Sequence, residues 1–259
     1  MEIKFYKYQG TGNDFIMIDN RNLLFNSSDL NLVKEMCDRR FGIGADGLIL
    51  LEKHPTLDFQ MVYFNADGNT STMCGNGGRC LVQFAYDLGV IQNSTTFMAI
   101  DGSHDAILKN GLVHLKMIDV EEVEINDNYY YMNTGSPHYV CYVNDIQNFP
   151  VYDEGFKIRY NDRFKSKGTN VNFIEKTEDA LWVRTYERGV EDETFSCGTG
   201  VTAAAIASSF KGMESPVAIK TLGGNLMIEF KKNASKFTDI FLVGPAVRVF
   251  EGQYALNIR

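Results

Sequence analysis

The hydrophobic pattern of this 259-residue chain predicts short buried strands that alternate with amphipathic helices. Continuous apolar runs indicate the strands. Apolar residues three or four positions apart, such as Leu32, Val33 and Met36, indicate the helices. Residues 106–115 alternate around Asn110-Gly111 and predict a hairpin, because this dipeptide is typical of a two-residue turn. The other predicted strands are 15–19, 48–51, 59–64, 181–186 and the pair 226–230 with 237–242, and the predicted helices are 30–40, 81–88 and 201–210.

A repeat relates the two halves of the chain. Cys74 and Cys197 each begin a Cys-Gly-x-Gly motif, and the two motifs lie 123 residues apart. Chance coincidence of common glycine turns is the alternative, but three matches in one order favour two similar halves. We expect one domain over 1–118, completed by a last strand within 247–259, and a second domain over 119–246. The further matches at this offset are Thr11-Gly12 with Thr134-Gly135 and, to within a residue, Gly102 with Gly223-Gly224.

The composition is that of an ordinary globular protein, with 44% hydrophobic and 22% charged residues. The net charge of −8 argues against nucleic-acid binding, which needs a basic face. No apolar run approaches the roughly 20 residues that cross a bilayer, and the start lacks the apolar core of a signal peptide. The five cysteines are odd in number and widely spread. We therefore expect free thiols, no membrane association and a cytoplasmic location.

The sequence does not support a dinucleotide site or a metal site. Residues 42–47 match G-x-G-x-x-G, but a predicted helix precedes this motif and a predicted strand follows it. That order is the reverse of the dinucleotide-binding arrangement. The chain has no C-x-x-C motif, and its four histidines lack ligand spacing, so we expect no metal ion.

The two Cys-Gly-x-Gly motifs carry the most informative chemistry. A thiol at a helix N-terminus becomes more acidic, because unpaired N–H groups and the helix dipole stabilise the thiolate. The glycines allow a ligand to approach closely, and their amides can bind a carboxylate or an enolate oxygen. For one such cysteine, a buried thiol before a tight turn is the more common explanation. Two of them, one in each half, favour a racemase in which one thiolate removes an α-proton and the other thiol protonates the opposite face.

Five segments of the chain resemble the diaminopimelate epimerases. They are 9–15 (QGTGNDF), 64–68 (FNADG), 74–80 (CGNGGRC), 186–189 (YERG) and 197–200 (CGTG), and the resemblance runs in order from residue 5 to about residue 250. The pair of cysteine motifs alone would also suit proline racemases and related isomerases. The other three segments point to the diaminopimelate branch.

The resemblance implies an α+β fold of two similar, pseudo-symmetric domains. Each would be a curved sheet wrapped around a central helix, with the active site in the cleft between them. The implied activity is that of an isomerase that needs no pyridoxal phosphate (PLP) or other cofactor. It would interconvert LL- and meso-2,6-diaminopimelate, a step of lysine and cell-wall precursor biosynthesis. The expected partner is a small amino-acid substrate, and a homodimer is left open.

The matching motifs also imply residue roles. Cys74 and Cys197 correspond to the acid/base pair, and His138 with Glu187 resembles the pair that adjusts the pKa values of the thiols. For Glu187 and Arg188, a solvated charge pair at a strand end is the alternative explanation. The implied substrate-binding residues are Asn13, Asn65, Gly75, Asn76, Asn170, Glu187, Arg188, Gly198 and Thr199.

Two positions depart from the family pattern. Ser136 stands where asparagine is common, and Gly47 stands where some members have glutamine. The shorter Ser136 puts in doubt one polar contact to the far end of the substrate, so a histidine epimerase or a proline racemase is the alternative. Asn65, Asn170 and Arg188 favour diaminopimelate, because they suit a second amino-acid head group. A non-catalytic binding protein would not need both cysteines.

The two-thiol hypothesis predicts the effect of removing each cysteine. Cys74→Ala and Cys197→Ala should each abolish epimerisation, and the double variant should be scarcely worse than either, because the two thiols act as a unit. Replacing Cys37, Cys80 or Cys141 by alanine should leave turnover within a few-fold of the wild type. Steady-state assays of the purified variants check this, and near-total loss at one of these three positions would contradict the scheme.

Overall fold

The computed structural model describes residues 2–256, which form seventeen strands and four helices. The first elements are β1 (Glu2–Gly10), β2 (Asn13–Asp19), α1 (Leu30–Cys37), β3 (Gly47–Glu52), β4 (Phe59–Asn65), α2 (Gly75–Asp87), β5 (Ser94–Ala99), β6 (Gly102–Lys109) and β7 (Leu112–Lys116). They are followed by β8 (Glu124–Ile125), β9 (Tyr130–Asn133), β10 (Pro137–Tyr142), α3 (Val151–Arg159), β11 (Asn170–Lys176), β12 (Leu181–Glu187), β13 (Asp192–Thr194), α4 (Gly198–Ser209), β14 (Val217–Thr221), β15 (Gly224–Asn233), β16 (Lys236–Gly244) and β17 (Val247–Ala255). No helix among these is long and apolar enough to cross a membrane.

The first compact unit consists of Met1–Leu115 and Pro245–Arg259. Its strands pair in the order β17-β1-β2-β3-β4-β5-β6-β7. The β2–β3 and β4–β5 pairs are parallel and are bridged by α1 and α2, whereas the other pairs are antiparallel. Of the last strand expected within 247–259, β17 accounts for the residues up to Ala255, and residues 257–259 lie outside the described part.

The second compact unit, Lys116–Gly244, has the same succession of strands and crossovers. From β9 onward the pairs are β9–β10 antiparallel, β10–β11 parallel across α3, β11–β12 antiparallel and β12–β14 parallel across α4. Two antiparallel pairs, β14–β15 and β15–β16, complete the sheet. In the first unit, the strand pairs from β1 to β7 follow the same order of antiparallel and parallel pairing. The protein is therefore an α+β fold of two similar domains.

Each unit is built around one buried helix. In α4 every residue from Gly200 to Ser208 is buried, and the helix contacts β9, β10, β11, β12, β14, β15 and β16. In α2 every residue from Gly75 to Val82 is buried, and the helix contacts β17, β1, β2, β3 and β6. Only the last turn of α2 reaches solvent, where Tyr86 and Asp87 are exposed, so both helices have to be covered over most of their surface. Each sheet covers its helix by curving around it.

Both central helices begin earlier than the sequence pattern predicts. α2 begins at Gly75 rather than at residue 81, and α4 begins at Gly198 rather than at residue 201. In both, a cysteine is the N-cap residue and the motif glycines form the first turn. Glycine disfavours helices, so the pattern assigned these residues to a turn. Close packing explains them instead, because a Cβ on Gly200 would lie 2.4 Å from Asn172 Oδ1.

The other predicted elements are confirmed with small changes at their ends. All the predicted strands occur, and Asn110 and Gly111 form the predicted hairpin turn with positive φ angles of 54° and 74°. The first helix ends at Cys37 rather than at residue 40. Asp38 explains the early end, since its side chain accepts the N–H groups of Arg40 and Phe41, each at 2.7 Å, and turns the chain away from the helix.

The packing of α3 on β12 generates a stability prediction. A Cβ on Gly155 would lie 2.4 Å from Tyr186 Cβ and 2.6 Å from its Cγ, so even one methyl group does not fit. Gly155→Ala should lower the free energy of unfolding by about 1–3 kcal/mol despite the better helix propensity of alanine. Lys157→Ala, on the exposed side of the same helix, should change it by less than about 0.5 kcal/mol. Urea denaturation checks both, and an unchanged midpoint for Gly155→Ala would contradict the expected clash.

Candidate active site

Cys74 lies at the N-terminus of α2 with an extended backbone, φ −101° and ψ 133°. Its thiol donates to Asn13 Oδ1 over an Sγ–O distance of 3.7 Å. Asn76 Nδ2 lies 3.5 Å from the same oxygen. Asp46 Oδ2 accepts from Asn13 Nδ2 at 2.5 Å and thereby fixes the orientation of the amide. Asn13 thus presents its carbonyl oxygen to both the thiol and the first turn of α2.

Asp46 belongs to the segment 42–47 that matches a dinucleotide motif, and its part in this site was not predicted. Arg39 Nη2 lies 2.7 Å from Asp46 Oδ1 and 2.6 Å from Asp14 Oδ1, and Lys7 Nζ lies 2.7 Å from Asp14 Oδ2. Burial raises the pKa of Asp14, but hydrogen bonds from Arg39 and Lys7 outweigh it and hold this pKa at about 2. Two cations and two anions make a cluster without net charge. It anchors the amide without placing an excess charge beside it.

Local packing explains why glycine stands at position 47, one of the two positions that depart from the family pattern. Gly47 begins β3 and pairs with Asn65 at the end of β4. A Cβ on Gly47 would lie 2.6 Å from both Phe64 O and Tyr63 Cε2, so a longer side chain could not stand here unless β4 moved. The Asn65 N–H donates to Asn69 O at 2.9 Å, which holds the turn that follows β4.

Cys197 is the N-cap residue of α4 and is buried, with 8% of its surface exposed. Its Sγ lies 3.5 Å from Thr199 Oγ1. Thr199 Oγ1 in turn lies 2.9 Å from His138 Nε2. Thr134, which the repeat pairs with Thr11, donates its hydroxyl to Thr199 O at 2.8 Å. A chain of hydrogen-bonding groups therefore leads from the thiol of Cys197 to a buried imidazole.

His138 is completely buried and is held as a neutral imidazole. Asn172 Nδ2 lies 3.0 Å from His138 Nδ1 and donates to it. We assign the remaining proton to Nε2, which faces Ser136 Oγ and Thr199 Oγ1, each at 2.9 Å. Burial, together with the positive charge of Arg188, lowers the pKa of His138 to about 3. At neutral pH this residue therefore acts through hydrogen bonds rather than through a charge.

Ser136 takes part in the same network through its hydroxyl. Its hydroxyl accepts a hydrogen bond from Asn170 Nδ2 at 3.0 Å, besides its contact with His138. Asn170 Oδ1 accepts the N–H of Arg188 at 2.9 Å. Asn170 is thereby bound to the protein at both ends of its amide, and it fixes the backbone at the end of β12.

Glu187 and Arg188 point to different surroundings and form no ion pair in the described part of the chain. The Glu187 carboxylate accepts from Thr194 Oγ1 at 2.9 Å, and burial raises its pKa. The Arg188 side chain is exposed, and its Nη1 donates to Lys167 O at 3.2 Å. The alternative of a solvated charge pair is therefore wrong for these two residues. A half-buried carboxyl next to an accessible guanidinium is more typical of a binding site than of a surface ion pair.

The structure thus gathers two sets of the residues that the motifs indicate, and each set belongs to one unit. The repeat indicated Thr134 in the sequence, because it pairs this residue with Thr11. The sequence did not indicate Asp46 and Asn172, because no local pattern identifies a residue that orients the side chain of another. The first set comprises Asn13, Cys74, Gly75 and Asn76, and the second comprises His138, Asn170, Cys197, Gly198 and Thr199. Within residues 2–256, no three histidine, cysteine or acidic side chains are arranged to hold a metal ion.

Comparison with known proteins supplies the family. The family model for diaminopimelate epimerase matches residues 5–116 and 130–249. The chain belongs to the diaminopimelate epimerase family. A member of this family from Flavobacterium psychrophilum, named diaminopimelate epimerase, is 56% identical over 253 residues, covering 96% of this chain and 99% of the relative. One of the same name from Aquifex aeolicus is 40% identical and covers 99% of both chains.

Solved structures outside the diaminopimelate epimerase family share the fold. A phenazine biosynthesis protein of the PhzF family from Bacillus anthracis superposes with a TM-score of 0.76 at 13% identity, over 99% of this chain and all of that one. A hydroxyproline epimerase from Agrobacterium vitis gives a TM-score of 0.69 at 14% identity, over 98% of this chain and 93% of that one. At such low identity the likeness concerns the two-domain fold alone.

The neutral state of His138 generates a pH prediction for this member of the family. The unfolded chain takes up a proton at this residue near pH 6.5, whereas the folded protein resists protonation down to about pH 3. The stabilisation of the folded protein by neutral His138 is therefore complete above pH 6.5 and is lost as the pH falls towards 3. Between pH 6 and 4, the unfolding free energy of the wild type should fall about 1.4 kcal/mol per pH unit more steeply than that of His138→Gln. Urea titrations at several pH values measure the two slopes, and equal slopes would refute the assignment.

Proposed function

We propose that this chain is a PLP-independent isomerase that interconverts LL-2,6-diaminopimelate and meso-2,6-diaminopimelate. The step belongs to lysine biosynthesis and supplies a cell-wall precursor. The observation that carries the proposal is the pair of cysteines, Cys74 and Cys197, each of which caps the buried central helix of its unit. Full-length identity of 56% to a protein named diaminopimelate epimerase supports the choice of substrate.

The proposed reaction is a proton exchange at one α-carbon of the substrate. The thiolate of one cysteine takes the α-proton and becomes a thiol, and the electron pair of the broken C–H bond passes into the carboxylate as an enolate. The thiol of the other cysteine then protonates the opposite face and becomes a thiolate. The inverted substrate leaves, and proton exchange with water restores the starting pair.

The helix ends supply the electrostatic part of this mechanism. The first N–H groups of a helix have no acceptor within it, and both helices begin with small residues that let a carboxylate approach. We assign the amides of Gly75-Asn76 and Gly198-Thr199 to the reacting carboxylate. Such preorganised donors stabilise an enolate more strongly in a site that excludes water. This arrangement replaces the electron sink that a cofactor would otherwise provide.

The remaining residues are assigned to the non-reacting amino-acid group. The exposed guanidinium of Arg188 suits a carboxylate, and the carboxyl of Glu187 and the amides of Asn13 and Asn65 suit an ammonium group or its water shell. Asn170 contributes by holding the backbone of Arg188 at 2.9 Å.

The acidity of the thiols is assigned to a pair of residues that shares Glu187 with the substrate-binding set. We assign to His138 and Glu187 the adjustment of the thiol pKa values. His138 would act through the hydroxyl of Thr199, which lies 3.5 Å from Cys197 Sγ.

The cellular location and the assembly are proposed on separate grounds. Two working thiols need a reducing compartment, which supports the cytoplasm. A homodimer is supported by β17, which pairs with β1 along one side and exposes Val247, Val249 and Phe250. An apolar edge strand is a template for pairing with a second chain. Light scattering of the purified protein measures the oligomeric state.

Hydrogen exchange at the α-carbon tests the proposed function. Incubation of the purified protein with LL-diaminopimelate in D₂O, with no added cofactor, should place deuterium at one α-carbon and produce the meso isomer. L-histidine and L-proline under the same conditions should remain unlabelled, because they lack the second head group that Arg188 would bind. Mass spectrometry and chiral chromatography follow both changes. Labelling of histidine or proline, with none of diaminopimelate, would transfer the assignment to one of those racemases.

A further inference from the structure

Glu191 closes the turn that carries Arg188, and the mechanism above assigns no role to it. Its N–H donates to Glu187 O at 2.8 Å, and its Oε1 accepts the N–H of Gly189 at 3.1 Å. Glu191 adopts a φ of +57°, a left-handed conformation that glycine adopts without cost and other residues rarely do. A glutamate at this position therefore has to offset that cost through the contacts of its side chain.

The carboxylate of Glu191 also joins this turn to the end of α3. Oε2 accepts from the hydroxyl of Tyr186 at 3.2 Å, and Oε1 lies 3.3 Å from Nη2 of Arg159, the last residue of α3. The side chains of this ion pair are 13% and 31% exposed, so bulk water screens their charges only in part. Burial raises the pKa of Glu191, but its hydrogen bonds, above all the one from the Gly189 N–H, outweigh burial and lower this pKa below its usual value. The turn is thus held by an ionised carboxylate.

Gly168 makes room for the side chains of Arg159 and Arg188. A Cβ at this position would lie 2.5 Å from Arg188 Cδ and 3.0 Å from Arg159 Cζ, so both arginine side chains pack against the glycine. Its φ of +77° is also in the left-handed region. Arg188 Nη1 donates to the neighbouring carbonyl, Lys167 O, at 3.2 Å. The missing side chain at position 168 therefore lets Arg188 lie along the backbone that binds its guanidinium.

The two arginines differ in how their charges are compensated. Arg159 pairs with Glu191, whereas no carboxylate among the residues that the structure describes forms an ion pair with Arg188. Without Glu191, two uncompensated guanidinium groups would flank Gly168 and repel each other. Glu191 therefore acts on Arg188 in two ways, because it closes the turn that carries this arginine and neutralises the neighbouring charge.

We infer that Glu191 and Gly168 are positioning residues that hold Arg188 for its ligand, the carboxylate at the non-reacting end of the substrate. The inference rests on the proposed function, in which Arg188 binds that carboxylate. The reaction does not change this end of diaminopimelate, so its contacts are equally strong in the ground state and in the transition state. Loss of such a contact raises KM and leaves kcat unchanged.

Glu191→Ala tests the contribution of the turn. KM for LL-diaminopimelate should rise about tenfold, while kcat stays within about threefold of the wild type. Glu154→Ala is the matched control, because it removes from α3 a carboxylate that pairs with the exposed Lys157 at 2.7 Å, and it should keep the wild-type KM. Steady-state epimerisation assays give both constants. A lower kcat at an unchanged KM would show a loss of folded enzyme alone and would overturn the inference.

Gly168→Ala tests the room for Arg188. Its new methyl group should displace Arg188 Cδ and raise KM about fivefold or more at a similar kcat. Gly212→Ala is matched in backbone strain, since Gly212 has a φ of +83°, but a Cβ there meets no heavy atom of the described residues beyond its chain neighbours within 4 Å. That control should keep the wild-type KM. Equal KM values for the two variants would contradict the role of Gly168 in placing Arg188.

A double-variant cycle shows whether Glu191 acts through Arg188. Arg188→Met should raise KM, and Glu191→Ala in that background should raise it less than about twofold further, because the side chain that Glu191 positions is already lost. The same increase in both backgrounds would show that Glu191 acts elsewhere and would overturn the inference.

The remaining outcomes are also distinguishable. If Glu191→Ala does not fold, Glu191→Gln takes its place, because it keeps an acceptor for the Gly189 N–H and loses the charge. Its KM should rise about threefold, and an unchanged KM would overturn the inference. If Arg188→Met shows no measurable turnover, the single variants decide. Failure of the proposed function would show instead as a wild-type protein that does not exchange the α-proton of diaminopimelate.

Discussion

Burial of a helix N-terminus next to a thiol is the constraint on which the rest of each unit depends. α4 is buried over almost its whole length and α2 exposes side chains only in its last turn, so each sheet has to cover most of its helix, including the first turn. Gly75, Asn76 and Gly77 are buried in α2, as are Gly198 and Gly200 in α4. The first N–H groups of a helix have no internal acceptor. Shielded from bulk water, they favour an anion, which is what a thiolate or a substrate carboxylate supplies.

The hydrogen-bonding residues around each thiol then determine its chemistry through orientation rather than through many charges. In the first unit a cluster with no net charge holds Asn13 by way of Asp46. In the second unit a neutral His138 reaches Cys197 through Thr199.

The two units show how a repeat can keep its topology and change its chemistry. Thr11 and Thr134 occupy equivalent turns, and each contacts the residue that follows the first glycine of the adjacent cysteine motif, Asn76 or Thr199. Three residues further along each helix, Arg79 and Thr202 bond to equivalent carbonyl oxygens with different groups. Equivalent positions of the two units thus make equivalent contacts with different chemical groups.

The sequence by itself determined the strands, the hairpin turn at Asn110-Gly111, the repeat and the pair of Cys-Gly-x-Gly motifs, because each depends on local periodicity or on a motif of a few residues. It placed the starts of α2 and α4 too late, because glycine propensity is local whereas the room around Gly200 is set by Asn172 on a distant strand. Tertiary structure alone decided that Asp46 orients Asn13, that Ser136 joins the His138 network and that Glu191 pairs with Arg159 at the end of α3. Those outcomes depend on which side chains long-range strand pairing brings together, and neither propensity nor spacing along the chain encodes that.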